Sequence, residues 1–354
     1  MSDPVLDSTA KRTNSKRKEE HLHIALNNDV GFKQVPTGFD DYYFVHNALP
    51  EIDLSKVNTS ASLFGKTLSA PLIISSMVGG IDEAKHINRN LAEAAQIMGL
   101  AIGVGSQRCF VDDPSTVSTY QVRDIAPDIL LFANLGAVQL NYGYGVRECR
   151  LAVEAIGADA LILHLNAIQE ALQPEGNTNF AGLLGKIKQV CAELPVPVIV
   201  KEVGCGISED VARRLASIGV AGIDVAGAGG TSWTEIERYR ARHEVTGNVA
   251  ATFASWGIPT ADSISMARRG APQLPLIASG GIRTGLDVAK AIALGADAAG
   301  IAAPLLKAAG ISAESVMGFL EEVIQGLRIS MFCTGAVSLK ELKNSPLLVR
   351  KKRE

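Results

Sequence analysis

Eight apolar runs of strand length, set between stretches of helical periodicity, leave this chain few folds to adopt. The runs are Ala70–Met77, Leu100–Val104, Ile129–Leu135, Ala160–Leu165, Pro197–Val203, Gly222–Ala226, Pro275–Ser279 and Ala298–Ala302. Among them, Glu83–Met98, Val146–Ile156, Phe180–Ala192 and Asp210–Ile218 carry apolar residues at helical spacing. Strands apolar along their whole length are buried on both faces, as in a parallel sheet covered by helices. Eight such units over about 250 residues match a (β/α)8 TIM barrel. A doubly wound open sheet is the alternative, and the strand count favours closure.

The chain has 354 residues, 47% of them hydrophobic, which is ample for a large core. A formal net charge of −3 gives no reason to expect nucleic acid. The cysteines Cys109, Cys149, Cys191, Cys205 and Cys333 form no CxxC pair and no metal-ligand spacing, which suits a reducing cytoplasm. No apolar run approaches the ~18 residues of a membrane span, and no signal-peptide core opens the chain. No internal repeat beyond the βα alternation stands out. The expected division is a polar, disordered tail at 1–15, an arm and extension at 16–68, and an N-terminally extended barrel at 69–354.

A barrel places its chemistry at the C-terminal ends of its strands. The last two strands flank Ser279-Gly-Gly-Ile-Arg283, where glycines let backbone N–H groups turn toward an anion such as a phosphate. The first strand ends in Ser75-Ser-Met-Val-Gly-Gly80, open enough for a flat ring to approach the backbone. Gly105-Ser-Gln-Arg108, Ala133-Asn134 and Gly227-Ala-Gly-Gly-Thr231 close others. Lys201 ends an apolar strand and needs a polar partner: an electron-rich ring, or a plain ion pair with Glu202 or another acid. His164, Asn166, Gln169 and Glu170 follow one strand directly, and a carboxylate there suits Mg²⁺. His164 alone is equally a structural histidine. Upstream, Lys16-Arg-Lys-Glu-Glu-His21 reads either as a solvated helix start or as an arm laid over an acidic small molecule.

In combination these motifs resemble the type 2, FMN-dependent isopentenyl-diphosphate isomerases. The resemblance rests on His164-Leu-Asn-Ala-Ile-Gln-Glu170, Arg17-Lys-Glu-Glu-His21, Phe44-Val-His-Asn-Ala-Leu-Pro-Glu51, Gly105–Arg108, Lys201-Glu-Val-Gly204, Gly229–Thr231 and Met331-Phe-Cys-Thr-Gly335. It implies a barrel flavoenzyme that uses reduced FMN, Mg²⁺ and NADPH without net redox change, and a homo-oligomer, tetramer or octamer. By position, it implies FMN contacts from Ser76, Met77, Val78, Ser106, Asn134, Lys201 and Thr231. The FMN phosphate would meet Gly281, Ile282 and Arg283, with Ala302 and Ala303 beyond. The substrate diphosphate would meet Arg17, Lys18, His21, Ser106, Gln107 and Arg108, with the metal on Glu170. His164, Asn166 and Gln169 would line the reacting end, Gln169 touching substrate.

Three positions depart from the family pattern: Val78 replaces a usual Thr, Ala226 a frequent Ser, and Ala303 a common Arg, each removing a polar contact to FMN. Two other classes compete. A 2-hydroxy-acid oxidase would need a histidine base where this chain has Gly227-Ala-Gly-Gly-Thr231. A non-catalytic flavin or phosphate scaffold would have no use for the cluster after Leu163.

Overall fold

All eight runs close into one parallel barrel in the computed structural model, which describes residues 4–343 and 345–352, with side chains from Lys16 onward. The strands are β1 (Leu72–Ile74), β2 (Ala101–Gly103), β3 (Leu131–Gly136), β4 (Ala160–Leu165), β5 (Val198–Glu202), β6 (Gly222–Asp224), β7 (Leu276–Ser279) and β8 (Ala298–Ile301). Each falls inside its predicted run, except that β3 extends one residue to Gly136. Parallel pairing of β8 with β1, from Ala299↔Leu72 to Ile301↔Ile74, closes the ring.

The continuous apolarity of the strands has a direct cause. Alternate residues serve two separate cores. Leu72, Ile74, Ile102, Leu131 and Ala133 pack outward against the helices. Ile73, Phe132, Ile162, Ile199 and Ile277 point inward and fill the barrel. A hairpin, Ala61–Leu63 with Lys66–Leu68, plugs the N-terminal end with Leu63 and Leu68. The Phe64 ring at its tip stands edge-on to Phe132, centroids 5.9 Å apart. With the bottom sealed, the opposite mouth is left for ligands.

The structure reveals a repeat that the sequence reading passed over. Arg123 donates to the carbonyls of Gly157, Ala126, Pro127 and Ile129 and to Asp159 Oδ2. Arg268 donates in the same way to Gly295, Ala271, Pro272 and Leu274 and to Asp297 Oδ2. Each aspartate also accepts the first N–H of a strand, Leu131 or Leu276, at 2.9 Å. The β3–β4 and β7–β8 quarters are therefore stapled alike, through matching Arg-x-x-Ala-Pro and Gly-Ala-Asp-Ala segments. Only the pattern of bonds makes so short a match conspicuous.

The N-terminal helix spans Pro4–Asn27 and so takes in most of the stretch expected as a tail; residues 1–3 lie outside the described ones. Proline suits a first helical turn because its missing N–H has no intrahelical acceptor to lose. Leu22, 3% exposed, fixes this arm to the core, a burial worth about 1.5–3 kcal/mol. The chain then runs antiparallel past the loop after β6, with Phe32 N–H donating to Gly230 at 3.0 Å and Ser232 N–H to Val30 at 2.8 Å. Tyr42–Phe44 pairs with the C-terminal strand Leu348–Arg350, so the extension is bound to the far end of the chain.

Candidate active site

A cavity of about 600 Å³ opens at the C-terminal mouth of the barrel, roofed by the arm. Every residue expected at the site lines it except Gln107. Gln107 is fully buried behind the wall. Its Oε1 accepts from Asn134 N–H at 3.0 Å and its Nε2 donates to Ala152 O at 2.8 Å. The expectation that Gln107 meets substrate is therefore corrected: both ends of its amide are spent tying the β2 loop to β3.

Among the described residues, four buried side-chain polar atoms lack a hydrogen-bond partner: Ser75 Oγ, Ser76 Oγ, Asn166 Oδ1 and Gln173 Oε1. All four belong to residues lining this cavity. Orphaned polar atoms cost about 1–3 kcal/mol each, so their clustering marks a place built for a polar ligand.

His164 stands at the end of β4, beside Asn134 of β3. Its Nδ1 lies 2.8 Å from Asn134 Oδ1. Burial first, then the charges of Lys201, Lys18 and Arg17, push its pKa down to about 3. The ring is thus neutral, its proton on Nδ1 facing the amide oxygen, and Nε2 keeps a lone pair. Two residues on, Asn166 Nδ2 donates to Gln169 Oε1 at 3.0 Å and to Glu170 Oε1 at 2.9 Å. Gln169 is held by its oxygen, which leaves its Nε2 for the cavity.

Glu170 is the hub of the neighbouring corner. Its Oε2 accepts from Gln173 Nε2 at 2.7 Å and from Asn177 N–H at 2.5 Å. Asn177 Oδ1 in turn takes Arg108 Nη1 at 3.1 Å and Gln139 Nε2 at 3.0 Å. Gln139, Gln173 and Asn177 were not anticipated. The i, i+3 spacing of Gln173 from Glu170 was a usable signal, whereas Asn177 is brought in only by the loop. No group of three acidic, histidine or cysteine side chains placed to hold a metal ion is present among the described residues. One carboxylate beside two orphaned amide oxygens does fit Mg²⁺, which takes oxygen ligands and leaves much of its shell to water and substrate phosphate.

Across the cavity, β5, β6 and β7 contribute Lys201, Asp224 and Ser279. The Lys201 ammonium donates to Glu202 O at 2.7 Å and lies 3.8 Å from Asp224 Oδ2. Ser279 Oγ donates to Asp224 Oδ1 at 2.6 Å. Burial pushes the Asp224 carboxyl up, opposed by Lys201 and the serine. The partner of Lys201 is therefore Asp224 and not Glu202. Glu202 turns its Oε2 to the N–H groups of Val203, Gly204 and Cys205.

Gly281, at φ +73°, faces the phosphate position expected from sequence. A Cβ there would stand 2.5 Å from Thr37 Cγ2 and 2.6 Å from Gly229 O. The N–H groups of Gly281 and Ile282 find no acceptor among the described residues, while those of Arg283 and Thr284 are taken by Asp287. Free N–H groups in a glycine cradle, unpartnered Ser75 and Ser76 hydroxyls and a cationic Lys201 together fit FMN. Of the three departures, Val78 offers its carbonyl to Gly105 and Asn88. Ala226 adopts φ +37°, and Ala303 opens a short helix.

The arm brings Lys18 onto Ser106 O at 2.6 Å, where Tyr120 OH also donates, at 2.8 Å. Gly79 exists because any Cβ would run into the Tyr120 ring. Arg17 has its pKa lowered by burial and by Arg108, with Glu170 and Glu175 opposing. His21, also lowered chiefly by burial, sits 3.0 Å from Glu237 Oε1 and edge-on to Trp233. Arg17, Lys18 and Arg108 thus line the side of the cavity that also holds Glu170. The thiols of Cys149 and Cys205 are pushed by burial to about 12, which rules them out as thiolate nucleophiles at neutral pH.

Residues 158–350 match the FMN-dependent dehydrogenase family. The barrel resembles a lactate oxidase of Pediococcus acidilactici, at TM-score 0.68 and 18% identity, over 98% of this chain and 95% of that one. It also resembles a mandelate oxidase variant with (S)-mandelic acid, at TM-score 0.62 and 18% identity, over 98% of each. Fold and family together define an FMN-dependent dehydrogenase-type barrel. Closer in sequence are proteins named isopentenyl-diphosphate delta-isomerase. That of Nostoc sp. is 52% identical over 98% of this chain and 99% of its own length. That of Rickettsia bellii is 48% identical over 94% and 97%. This chain belongs to the isopentenyl-diphosphate delta-isomerase family.

Proposed function

We infer that this enzyme interconverts isopentenyl and dimethylallyl diphosphate, using reduced FMN with no net redox change. The observation that carries the reading is the division of one cavity into two ends. Arg17, Lys18 and Arg108 with Glu170 suit a metal-bound diphosphate, and the neutral group His164, Asn166 and Gln169 suits an uncharged hydrocarbon.

Shifting the double bond means adding a proton at one carbon and removing one from another. FMN in its reduced form supplies an electron-rich ring and a proton-carrying nitrogen for such chemistry. Ser76, Asn134, Lys201 and Thr231 would hold the ring, and Gly281 and Ile282 its phosphate. Arg17, Lys18 and Arg108 would bind the far end, with Glu170 as the residue to hold Mg²⁺, so that remote binding energy positions the reacting carbons. Neutral His164 keeps an acceptor at Nε2 for a hydrogen bond and, staying uncharged, places no second cation beside a cationic transition state. Gln169, steadied by Asn166, orients the alkene. Met77, Val78 and Trp233 exclude water.

NADPH as reductant, Mg²⁺ as metal, a cytoplasmic location and a tetramer or octamer complete the proposal. Among the described residues no helix is long and apolar enough to cross a membrane. The oxidase alternative lacks its base, because Gly227–Thr231 holds no histidine and the cavity's histidines, His21 and His164, stand elsewhere. Anaerobic incubation with isopentenyl diphosphate, FMN, Mg²⁺ and NADPH, and then without each, tests the reading. Dimethylallyl diphosphate should form only with the flavin, a reductant and the metal. Tight FMN binding with no product contradicts it.

A further inference from the structure

Three segments around the cavity meet at Arg240, the last residue of the helix Trp233–Arg240. Its side chain is 9% exposed and donates to three carboxylates. Nη1 reaches Glu237 Oε2 at 2.7 Å, Nη2 reaches Glu175 Oε1 at 2.7 Å, and Nε reaches Glu20 Oε2 at 3.1 Å. Burial works against the guanidinium charge, yet Glu237 and Glu175 outweigh it and hold the pKa above its usual value. Glu237, with a side chain 2% exposed, also takes His21 Nε2. Arg240 therefore fastens the arm twice, directly through Glu20 and indirectly through Glu237 and His21.

The same guanidinium grips the other wall. Glu175 is two residues from Asn177, whose N–H holds Glu170 Oε2 and whose Oδ1 holds Arg108. Among the described residues, no hydrogen bond or ion pair runs directly from the arm helix to residues 166–179; Arg240 bonds to both, beside a longer route from Lys18 through the Ser106–Arg108 loop to Asn177. We propose that Arg240 is a positioning residue that sets the spacing between the arm's cations and the Glu170 corner, and so assembles the diphosphate end of the site. A planar fork spreads five donors over three nitrogens and so reaches three separated carboxylates, whereas a lysine offers its donors from a single nitrogen. For the identity of the ligand, the proposal rests on the isomerase reading above.

The test uses full-length, FMN-loaded protein with Arg240→Gln. Trypsin cleavage at Lys16, Arg17 or Lys18 reports release of the arm. The KM for isopentenyl diphosphate reports assembly of the diphosphate end. Cleavage should quicken about tenfold and KM rise about tenfold, equivalent to about 1.4 kcal/mol, with kcat and FMN affinity within about threefold. Glu20→Gln should speed cleavage with a smaller rise in KM, and Glu175→Gln should raise KM and the Mg²⁺ requirement without faster cleavage. A folded Arg240→Gln enzyme with wild-type cleavage and KM overturns the proposal. If that variant does not fold, the Glu20→Gln/Glu175→Gln double variant is judged by the same two outcomes. Failure of the wild type to isomerise would remove the isomerase reading alone, since the cleavage comparison still decides whether Arg240 clasps the arm.

Discussion

Replacing Gly281 by alanine should cost the enzyme its flavin before it costs the fold. At φ +73° an L-residue carries a penalty of about 1–2 kcal/mol. The larger effect is steric. The new Cβ would lie 2.6 Å from Gly229 O, a backbone atom that cannot rotate aside, so the loop must retreat by roughly 1 Å to regain van der Waals separation. A hydrogen bond lengthened by that much is no longer one. The N–H groups of Gly281 and Ile282 are the donors at stake, and donors to a charged group are worth roughly 1.5–3 kcal/mol each. Losing the equivalent of about 3 kcal/mol weakens FMN binding on the order of 100-fold. Titration of apo-protein with FMN, followed by flavin fluorescence, measures this, and thermal unfolding gives the accompanying stability loss. Thr37→Ala should not rescue the variant, because the Gly229 carbonyl remains. FMN affinity within about threefold of wild type, with an unchanged Tm, would show that the phosphate does not sit on this loop.

Three further outcomes follow from the site. His164, held near pKa 3, stays unprotonated in the fold while the unfolded chain takes up a proton below about 6.5, so its share of stability is lost as pH falls from 6.5 toward 3. Unfolding free energy should drop by up to about 2 kcal/mol between pH 7 and pH 5 on this account, and His164→Gln should flatten that slope in denaturant titrations. Lys201→Met strands Asp224 without its counter-ion and should destabilise by about 3 kcal/mol, whereas Lys201→Met/Asp224→Asn recovers much of the loss; equal instability of both variants would deny the pair. Gln169→Asn withdraws the amide by one methylene from Asn166 and should lower turnover at least about tenfold with FMN affinity unchanged, and equal losses in both would contradict an orienting role.

The barrel was legible because each strand buries both faces, so its eight runs stand out from the amphipathic helices around them. The rim residues were legible for a related reason: His164, Lys201 and Asn134 are polar groups at the ends of apolar strands, which only a ligand site or a hydrogen-bond network makes stable. What stayed hidden depends on contacts between distant segments. Nothing in the sequence singles out Asp224; the strand register sets it beside Lys201. Asn177 lies in a loop and Arg240 ends a polar helix, and their bonds exist only because segments far apart in the chain converge. Gln107 misled because adjacent rim residues point to opposite sides of the wall, and a motif does not say which of them turns inward. The doubled Arg–Asp staple was missed because its matching segments are short and its partners far apart in the chain.

The most direct test of the central claim is the number of dimethylallyl diphosphate molecules formed per NADPH oxidised, measured anaerobically with FMN, Mg²⁺ and excess isopentenyl diphosphate. A flavin that serves without net redox change needs reduction once and then turns over repeatedly, so many product molecules should appear for each NADPH consumed. A ratio fixed near one, or NADPH consumption without product, would contradict the isomerase account and place this barrel among enzymes that use their flavin for electron transfer.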